Sequence, residues 1–87
     1  MSRWKRPLTA REVRRILKNL GFVHRSTEGG HEQWVRLSPP PMRKVTLSAH
    51  TQPFVDTIIR YMSQQAGVSV RAFYGALARI FHASTTV

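Results

Sequence analysis

The hydrophobic pattern changes its period twice along the chain, and this order restricts the fold more than any other feature. Residues 9–20 carry apolar side chains at helical spacing, residues 21–48 contain three short alternating runs, and residues 53–81 return to helical spacing. Helices before and after a three-stranded meander can cover the same face of its sheet. The sequence therefore predicts a single α+β domain over residues 1–87, a two-layer sandwich with one open sheet face.

Capping signals mark the ends of the predicted helices. Thr9 and Glu12 have the spacing of a capping box at the start of the first helix, and Gly21 ends it. The second helix is expected to stop at Gly67, and Ser69 to cap a third. The apolar side chains predicted to face the core are Val13, Ile16, Leu17 and Leu20, then Phe54, Val55, Ile58, Ile59 and Met62, then Phe73, Leu77 and Phe81.

Three antiparallel strands are predicted between the first two helices. Residues 21–27 and 31–37 flank a turn with two glycines, which permit the positive φ of a tight hairpin. Three prolines separate this hairpin from a third strand over residues 43–48. The helix–strand–strand–strand–helix order, with an additional C-terminal helix, is the topology of a double-stranded-RNA-binding domain.

Composition adds a strong positive charge. The 87 residues include 14 Lys and Arg against four Asp and Glu, a formal net charge of +10 at pH 7. Eleven of the fourteen cations are arginine, whose planar guanidinium suits phosphate groups. Because a field of this sign concentrates polyanions, nucleic acid is the predicted partner. An anionic membrane surface and an acidic protein are the alternatives.

The sequence also limits the compartment. It has no cysteine, so neither a disulfide nor a thiolate metal site is possible. No apolar run approaches the roughly 20 residues that cross a bilayer, and the basic start is followed by no apolar segment. We expect a cytoplasmic protein that does not bind a membrane. Residues 1–7 are expected to form a short basic arm, and residues 83–87 a frayed end.

Histidine is the residue type best suited to proton transfer near neutral pH, and four are present. His31 directly follows the two glycines of the hairpin, where we expect it to be exposed. RNA carries its own nucleophile, the 2′-hydroxyl, so an imidazole that moves its proton is enough to start cleavage. His31 is therefore the catalytic candidate, and the competing interpretation is a turn histidine without a function. For His50 both interpretations stay open, His24 is interpreted as structural, and His82 receives no role.

The register of the second strand leaves two positions open for Trp34. If Val35 faces the core, Trp34 lies on the open face, where it can stack on a base or anchor a partner. If the register is reversed, Trp34 belongs to the core and His31 shares the open face with Gln33. The candidate RNA contacts are Gly30, His50 and Trp34, together with the cations Arg14, Arg15, Arg25, Arg43 and Lys44.

Metal-dependent hydrolysis needs clustered carboxylates or histidines at ligand spacing. The four acidic residues, Glu12, Glu28, Glu32 and Asp56, are scattered, and Glu12 already belongs to the predicted capping box. The sequence contains neither an HExxH motif nor a glycine-rich phosphate loop. The sequence therefore predicts chemistry without a metal ion or another cofactor.

Four segments together resemble a known family. They are "LTAREVRRILKNLGF", "GGHEQW", "KVTLSAH" and "QQAGVSVRAF", which lie in this order within residues 8–73. In these features the chain resembles HicA-type toxins, the ribonuclease half of a bacterial type II toxin–antitoxin pair. The resemblance implies a fold like that of a double-stranded-RNA-binding domain, metal-independent cleavage of mRNA, His31 as the catalytic residue, and a HicB-type antitoxin that covers it.

Two positions depart from the family pattern. Gly30 stands where the family usually has a serine before the histidine, and Ser48-Ala49-His50 stands where a Pro-x-His motif is usual. A non-catalytic RNA-binding module with the same topology is the main alternative to a ribonuclease toxin. An interaction protein for an acidic partner, in which RNA binding is incidental, is the third hypothesis.

Overall fold

Three helices and a three-stranded antiparallel sheet make up the fold. The computed structural model describes residues 5–85, and the side chains of residues 5–77. In chain order the elements are α1 (Ala10–Asn19), β1 (Val23–Glu28), β2 (His31–Arg36), β3 (Arg43–Ser48), a short 3₁₀ turn (Ala49–Thr51), α2 (Asp56–Ala66) and α3 (Val70–Thr85). The sheet order is β1-β2-β3. The predicted α+β class and order of elements are confirmed.

Both ends of α1 are fixed by the capping signals that the sequence contains. The Thr9 hydroxyl accepts a hydrogen bond from the Glu12 backbone N–H at 3.2 Å, and the Glu12 carboxylate accepts one from the Thr9 N–H at 3.0 Å. At the other end Gly21 adopts a φ of +91°, and the Phe22 N–H donates to the Leu17 carbonyl at 2.9 Å. This is a Schellman ending, which carries the chain directly into β1.

The core lies on one face of the sheet. Alternate residues of β2 and β3 point towards the helices, and Trp34 lies directly opposite Val45 in the pairing of these strands. The other buried side chains of this core are Leu8, Ala10, Val13, Ile16, Leu17, Phe22, Leu47, Phe54, Ile59, Met62, Ala66, Phe73 and Ala76. β1 is exposed at all six of its residues, so the helices cover the sheet mainly over β2 and β3.

The phase of α2 differs from the prediction. Phe54 is buried, but it precedes the helix and forms an antiparallel bridge with Leu8, with N···O distances of 2.7 and 3.1 Å. Val55 is 53% exposed and Ile58 is 37% exposed, so their assignment to the core is wrong. The helix begins at Asp56, and its buried face consists of Ile59, Met62, Ser63 and Ala66. Val55 lies before this helix, and Ile58 lies outside its buried face.

Residues 5–7 and 83–85 are more ordered than the sequence predicts. The backbone N–H of Arg6 donates to the Tyr74 hydroxyl at 3.2 Å, and this hydroxyl donates to the Arg6 carbonyl at 2.5 Å. Residues 5–7 are therefore tied to α3, which itself continues to Thr85. Residues 1–4 and 86–87 of the predicted arm and frayed end, and the side chain of Phe81, lie outside the described part of the chain. Among the described helices, none has the length and apolar character needed to span a membrane.

The two outer edges of the sheet differ in what lies beside them. On β3 the Thr46 N–H donates to the side-chain carbonyl of Gln65 at 3.3 Å, so α2 covers this edge. β1 forms the other edge, and its pairing with β2 shifts register between His24 and Ser26. The extra residue of this bulge is Arg25.

Candidate functional site

His31 is the first residue of β2 and is exposed at the rim of the sheet. The turn before it contains Gly29 and Gly30, both with positive φ, as the hairpin requires. β3 pairs Ser48 with His31, and the Ser48 hydroxyl lies 2.7 Å from His31 Nδ1. This hydrogen bond orients the ring and leaves Nε2 as the nitrogen that can meet a ligand.

A second imidazole, that of His50, reaches the same rim from the 3₁₀ turn after β3. The turn is fastened to the hairpin, because the Ala49 N–H donates to the Gly30 carbonyl at 3.1 Å. His50 Nε2 lies 3.1 Å from the Gly29 carbonyl oxygen. Since a carbonyl only accepts, His50 Nε2 carries the hydrogen, and Nδ1 is the nitrogen left for a ligand.

The rings of His31 and His50 form an exposed pair. Their centroids are 6.4 Å apart and their planes are nearly perpendicular, at 79°. Each ring is fixed through one nitrogen and retains the other. Two imidazoles at this separation can serve one substrate, with one ring taking a proton and the other giving one.

Gly30 leaves the space that His50 occupies. A Cβ atom at residue 30 would lie 2.0 Å from His50 Nε2, and the backbone there has a φ of +84°. Any residue with a side chain at this position, serine included, is therefore incompatible with the ring position of His50 in this chain. Glycine at residue 30 is what permits the second imidazole to approach the hairpin.

We expect Gly30→Ala to displace His50 and to destabilise the fold by about 1–2 kcal/mol, because L side chains are strained at this φ. Gly29→Ala is the matched control: its φ is also positive, at +55°, but its added Cβ meets nothing within 4 Å. Thermal unfolding measures the stability, and the NMR shifts of the His50 ring report its displacement. Equal effects of both substitutions on the His50 ring would contradict the assigned contact.

The structure decides the register of β2 and corrects the role of Trp34. Its side chain is 2% exposed and faces the core, so its proposed stacking on an RNA base is wrong. The indole N–H donates to Glu32 Oε1 at 3.0 Å, and Arg14 holds the same carboxylate through Nε and Nη2. The Arg14 guanidinium, with a smaller contribution from the Trp34 hydrogen bond, lowers the pKa of Glu32 below its ordinary value. Arg14 thus forms a structural ion pair with Glu32 at the edge of the core.

Two predicted phosphate contacts lie far from the histidine pair. Arg43 and Lys44 are at the start of β3, whereas His31 pairs with the last residue of that strand. The Arg43 guanidinium packs against Gly67 at the C-terminal end of α2, where an added Cβ would lie 2.7 Å from its Cζ. A cation at a helix C-terminus is stabilising, so Arg43 has a structural role. Lys44 is exposed on the open face.

Several cations of α1 form a separate basic surface. The side chains of Arg11, Arg15 and Lys18 lie on one side of α1, where they line a groove together with Arg14 and Asn19. Arg25, at the β1 bulge, is exposed nearer to the histidines. Of the predicted RNA contacts, the structure therefore brings only Gly30 and His50 together with His31.

Sequence reasoning missed two residues that shape this region. Ser48 orients His31, but its role depends on the register of β2 against β3, which the proline-rich connection conceals. Glu32 anchors Arg14 and Trp34 although a charged residue is rarely buried. Glutamate at i and tryptophan at i+2 in a strand share a face, which is the signal that was available.

Neither ligand geometry nor similarity to known proteins identifies the site. Among the described side chains, those of residues 5–77, no group of three or more His, Cys, Asp or Glu is placed to hold a metal ion. The chain matches no family model, no curated protein and no solved structure. Its chemistry must therefore be inferred from the histidine pair itself.

Proposed function

We propose that this protein is a metal-independent endoribonuclease whose active site is the pair of His31 and His50. The observation that carries the proposal is the 6.4 Å separation of two exposed imidazoles, each fixed through one nitrogen. The net charge of +10 supports a polyanionic substrate. Gly30, which makes room for the second ring, supports the view that the pair is a built feature.

In the proposed reaction, His31 Nε2 takes the proton of a ribose 2′-hydroxyl. The 2′-oxygen attacks the adjacent phosphorus, the bond from phosphorus to the 5′-oxygen breaks, and His50 Nδ1 gives its proton to that oxygen. The products are a 2′,3′-cyclic phosphate and a free 5′-hydroxyl. The histidines end in exchanged protonation states, and solvent restores them. The positive charge of protonated His50 also stabilises the charge that develops on the phosphorane.

The test is incubation of the purified chain with single-stranded RNA in EDTA, followed by analysis of the fragment ends. We expect fragments with 2′,3′-cyclic phosphate and 5′-hydroxyl ends, because the substrate supplies the nucleophile. An RNA of the same sequence with 2′-O-methyl groups is the control and should remain intact. Cleavage of this control, or 3′-hydroxyl ends on the products, would refute the mechanism.

The resemblance over residues 8–73 extends the proposal to a toxin that cleaves mRNA and stops growth. Its partner would be a HicB-type antitoxin that covers His31, which the exposure of this residue permits. Inducible expression of the wild-type chain should arrest growth and shorten mRNA lifetimes, and co-expression of an antitoxin encoded beside it should restore growth. Expression of the active chain without growth arrest would contradict the toxin assignment.

A non-catalytic RNA-binding module is the second candidate, and the position of the basic groove on α1 favours it. Arg11, Arg15 and Lys18 lie together on that helix, whereas Arg43 and Lys44 are distant from the histidine pair. This function predicts salt-sensitive RNA binding without cleavage. Arg11→Glu with Arg15→Glu should then abolish RNA binding, while His31→Ala should leave RNA binding unchanged.

A further inference from the structure

The open face of the sheet carries three successive rows of side chains. Because directly paired residues share a face, the rows follow from the strand register. From the histidine rim inward they are Glu28, His31 and Ser48, then Ser26, Gln33 and Thr46, then Val23, Val35 and Lys44. The face therefore changes from imidazole and hydroxyl groups, through hydroxyl and amide groups, to apolar groups.

The apolar row opens into a pit at the far end of β1 and β2. Val35 is nearly buried and forms its floor, while Val23 and Leu37 are 68% and 70% exposed. These three residues line a cavity of about 570 Å³ together with Gly21, His24, Arg25, Arg36 and Ser38. Because His24 and Arg36 belong to the helix-facing side, the cavity lies around the end of the sheet and is bordered by residues of both faces. This volume lies within the roughly 300–1,000 Å³ that is typical of ligand sites. The two exposed aliphatic side chains beside this cavity provide an apolar surface that a ligand can contact.

Cations surround the pit. Lys44 lies directly opposite Val35 on the open face, and Arg25 projects from the β1 bulge. Arg36 is half-buried beside the pit. Its guanidinium lies over the Phe22 ring, 5.1 Å from the ring centroid, and donates a hydrogen bond to the Leu20 carbonyl at 3.3 Å. An apolar floor with a positive rim fits an aromatic base attached to a phosphate backbone, and it fits an uncharged apolar peptide poorly.

We propose that the open sheet face binds single-stranded RNA and that the apolar pit holds one unstacked base. The inference rests on the ribonuclease function proposed above and adds the substrate class and a base subsite. His31 and Val35 are four residues apart on one strand, a distance of about 13 Å at roughly 3.3 Å per residue. The base in the pit therefore lies about four nucleotides from the phosphate at the histidines, since stacked nucleotides rise about 3.4 Å each.

The middle row fits the same strand of RNA. The Thr46 hydroxyl donates to Gln33 Oε1 at 3.1 Å, which leaves the amide N–H groups of Gln33 for base or ribose oxygens. Duplex RNA cannot use this surface in the same way, because its bases are stacked and paired. The substrate class that follows is single-stranded RNA, or the unpaired loops of a folded RNA.

The test is binding of uncleavable 2′-O-methyl RNA to the full chain, measured by fluorescence anisotropy at fixed salt in EDTA. One short single strand carries bases, and a second has the same backbone with abasic sites. We expect the wild-type chain to bind the first about fivefold or more tightly than the second. The double variant Val23→Thr, Leu37→Gln should lose this preference and keep its affinity for the abasic strand, because its cations are unchanged.

Val55→Thr with Ile58→Gln is the matched control, since these exposed apolar residues lie outside the pit. This variant should keep the wild-type preference. Equal wild-type affinity for both strands, a preference for duplex RNA, or an unchanged preference in the pit variant would each overturn the inference. If the pit variant keeps its preference for the base-bearing strand but is no longer neutralised by an antitoxin, the pit is a contact for a protein partner instead.

The outcome is separable from that of the ribonuclease proposal. A base preference that depends on the pit, without cleavage of ordinary RNA, would keep the base subsite and refute the nuclease. Cleavage without any base preference would keep the nuclease and refute the subsite. Circular dichroism of every variant establishes that each binding result comes from a folded chain.

Discussion

His31→Ala is expected to lower the rate of RNA cleavage in EDTA by about 10²- to 10⁴-fold, the usual contribution of a positioned proton-transfer group. The fold should not change, because His31 is exposed and its side chain makes one hydrogen bond, to Ser48. RNA affinity should be retained. Single-turnover cleavage measures the rate, and thermal unfolding establishes that the variant is folded.

Two further histidine variants make this prediction sharper. His50→Ala should slow cleavage by about 10²-fold or more, and the variant lacking both histidines should be far less impaired than the product of the single losses, since the two act as a unit. Thr57→Ala is the control, because Thr57 is exposed on α2 and does not line the pit. Equal rates for His31→Ala and Thr57→Ala would remove His31 from the mechanism.

Glu32→Ala is expected to destabilise the protein by about 2–3 kcal/mol, which lowers the melting temperature of a domain this size by roughly 10–20 °C. The substitution leaves the buried Trp34 N–H without its acceptor and removes all three hydrogen bonds between the Arg14 guanidinium and Glu32. Arg14 can turn to solvent, because its side chain is 39% exposed, and this limits the loss. Urea unfolding measures the change. Arg15→Ala, an exposed neighbour on α1, should change stability by less than about 0.5 kcal/mol.

The same carboxylate makes stability depend on pH. Its pKa is lowered in the folded state, chiefly by the hydrogen bonds from Arg14, so the folded state favours the ionised form. The contribution of Glu32 is therefore present above the pKa of an unfolded glutamate and is lost as the pH falls through the lowered value. Glu32→Gln should make the free energy of unfolding fall less steeply as the pH is lowered into the acid range, the acid limb of the stability curve. Part of that limb should remain, because Arg6 also lowers the pKa of Glu12.

Local signals predicted what local chemistry determines. The capping box of Thr9 and Glu12, the left-handed glycines and the hairpin turn depend on a few neighbouring residues, and all are present as expected. The start of α2 was mispredicted because it depends on a distant contact. Phe54 is held out of the helix by its bridge to Leu8, a pairing between residues 46 positions apart. Periodicity predicts that a helix exists but does not determine where its first turn begins.

The faces of β2 could not be assigned from alternation alone. Glu32 and Arg36 share the helix-facing side with Trp34, whereas Val35 points to the open face. Glu32 and Arg36 are tolerated on this side because Arg14 neutralises Glu32 and because Arg36 donates to a carbonyl at the end of α1. Both partners come from α1 or its end, which no property of the β2 sequence reveals.

For the candidate site, the exposure of His31 followed from the two glycines before it. The approach of His50 did not, because it depends on how far β3 extends past the hairpin and on the 3₁₀ turn that follows. Glycine at residue 30 leaves the space that the His50 ring takes. Its steric consequence became visible only when the neighbour was known.

The bulge at Arg25 has a consequence for how molecules of this protein behave together. The β1 edge is the side on which a strand from another molecule could continue the sheet, because Gln65 occupies the β3 edge. The register shift divides β1, so the longest uninterrupted stretch for such a strand is the three residues Ser26–Glu28. We expect a ladder this short to hold a second molecule weakly, so that the β1 edge does not start a growing sheet.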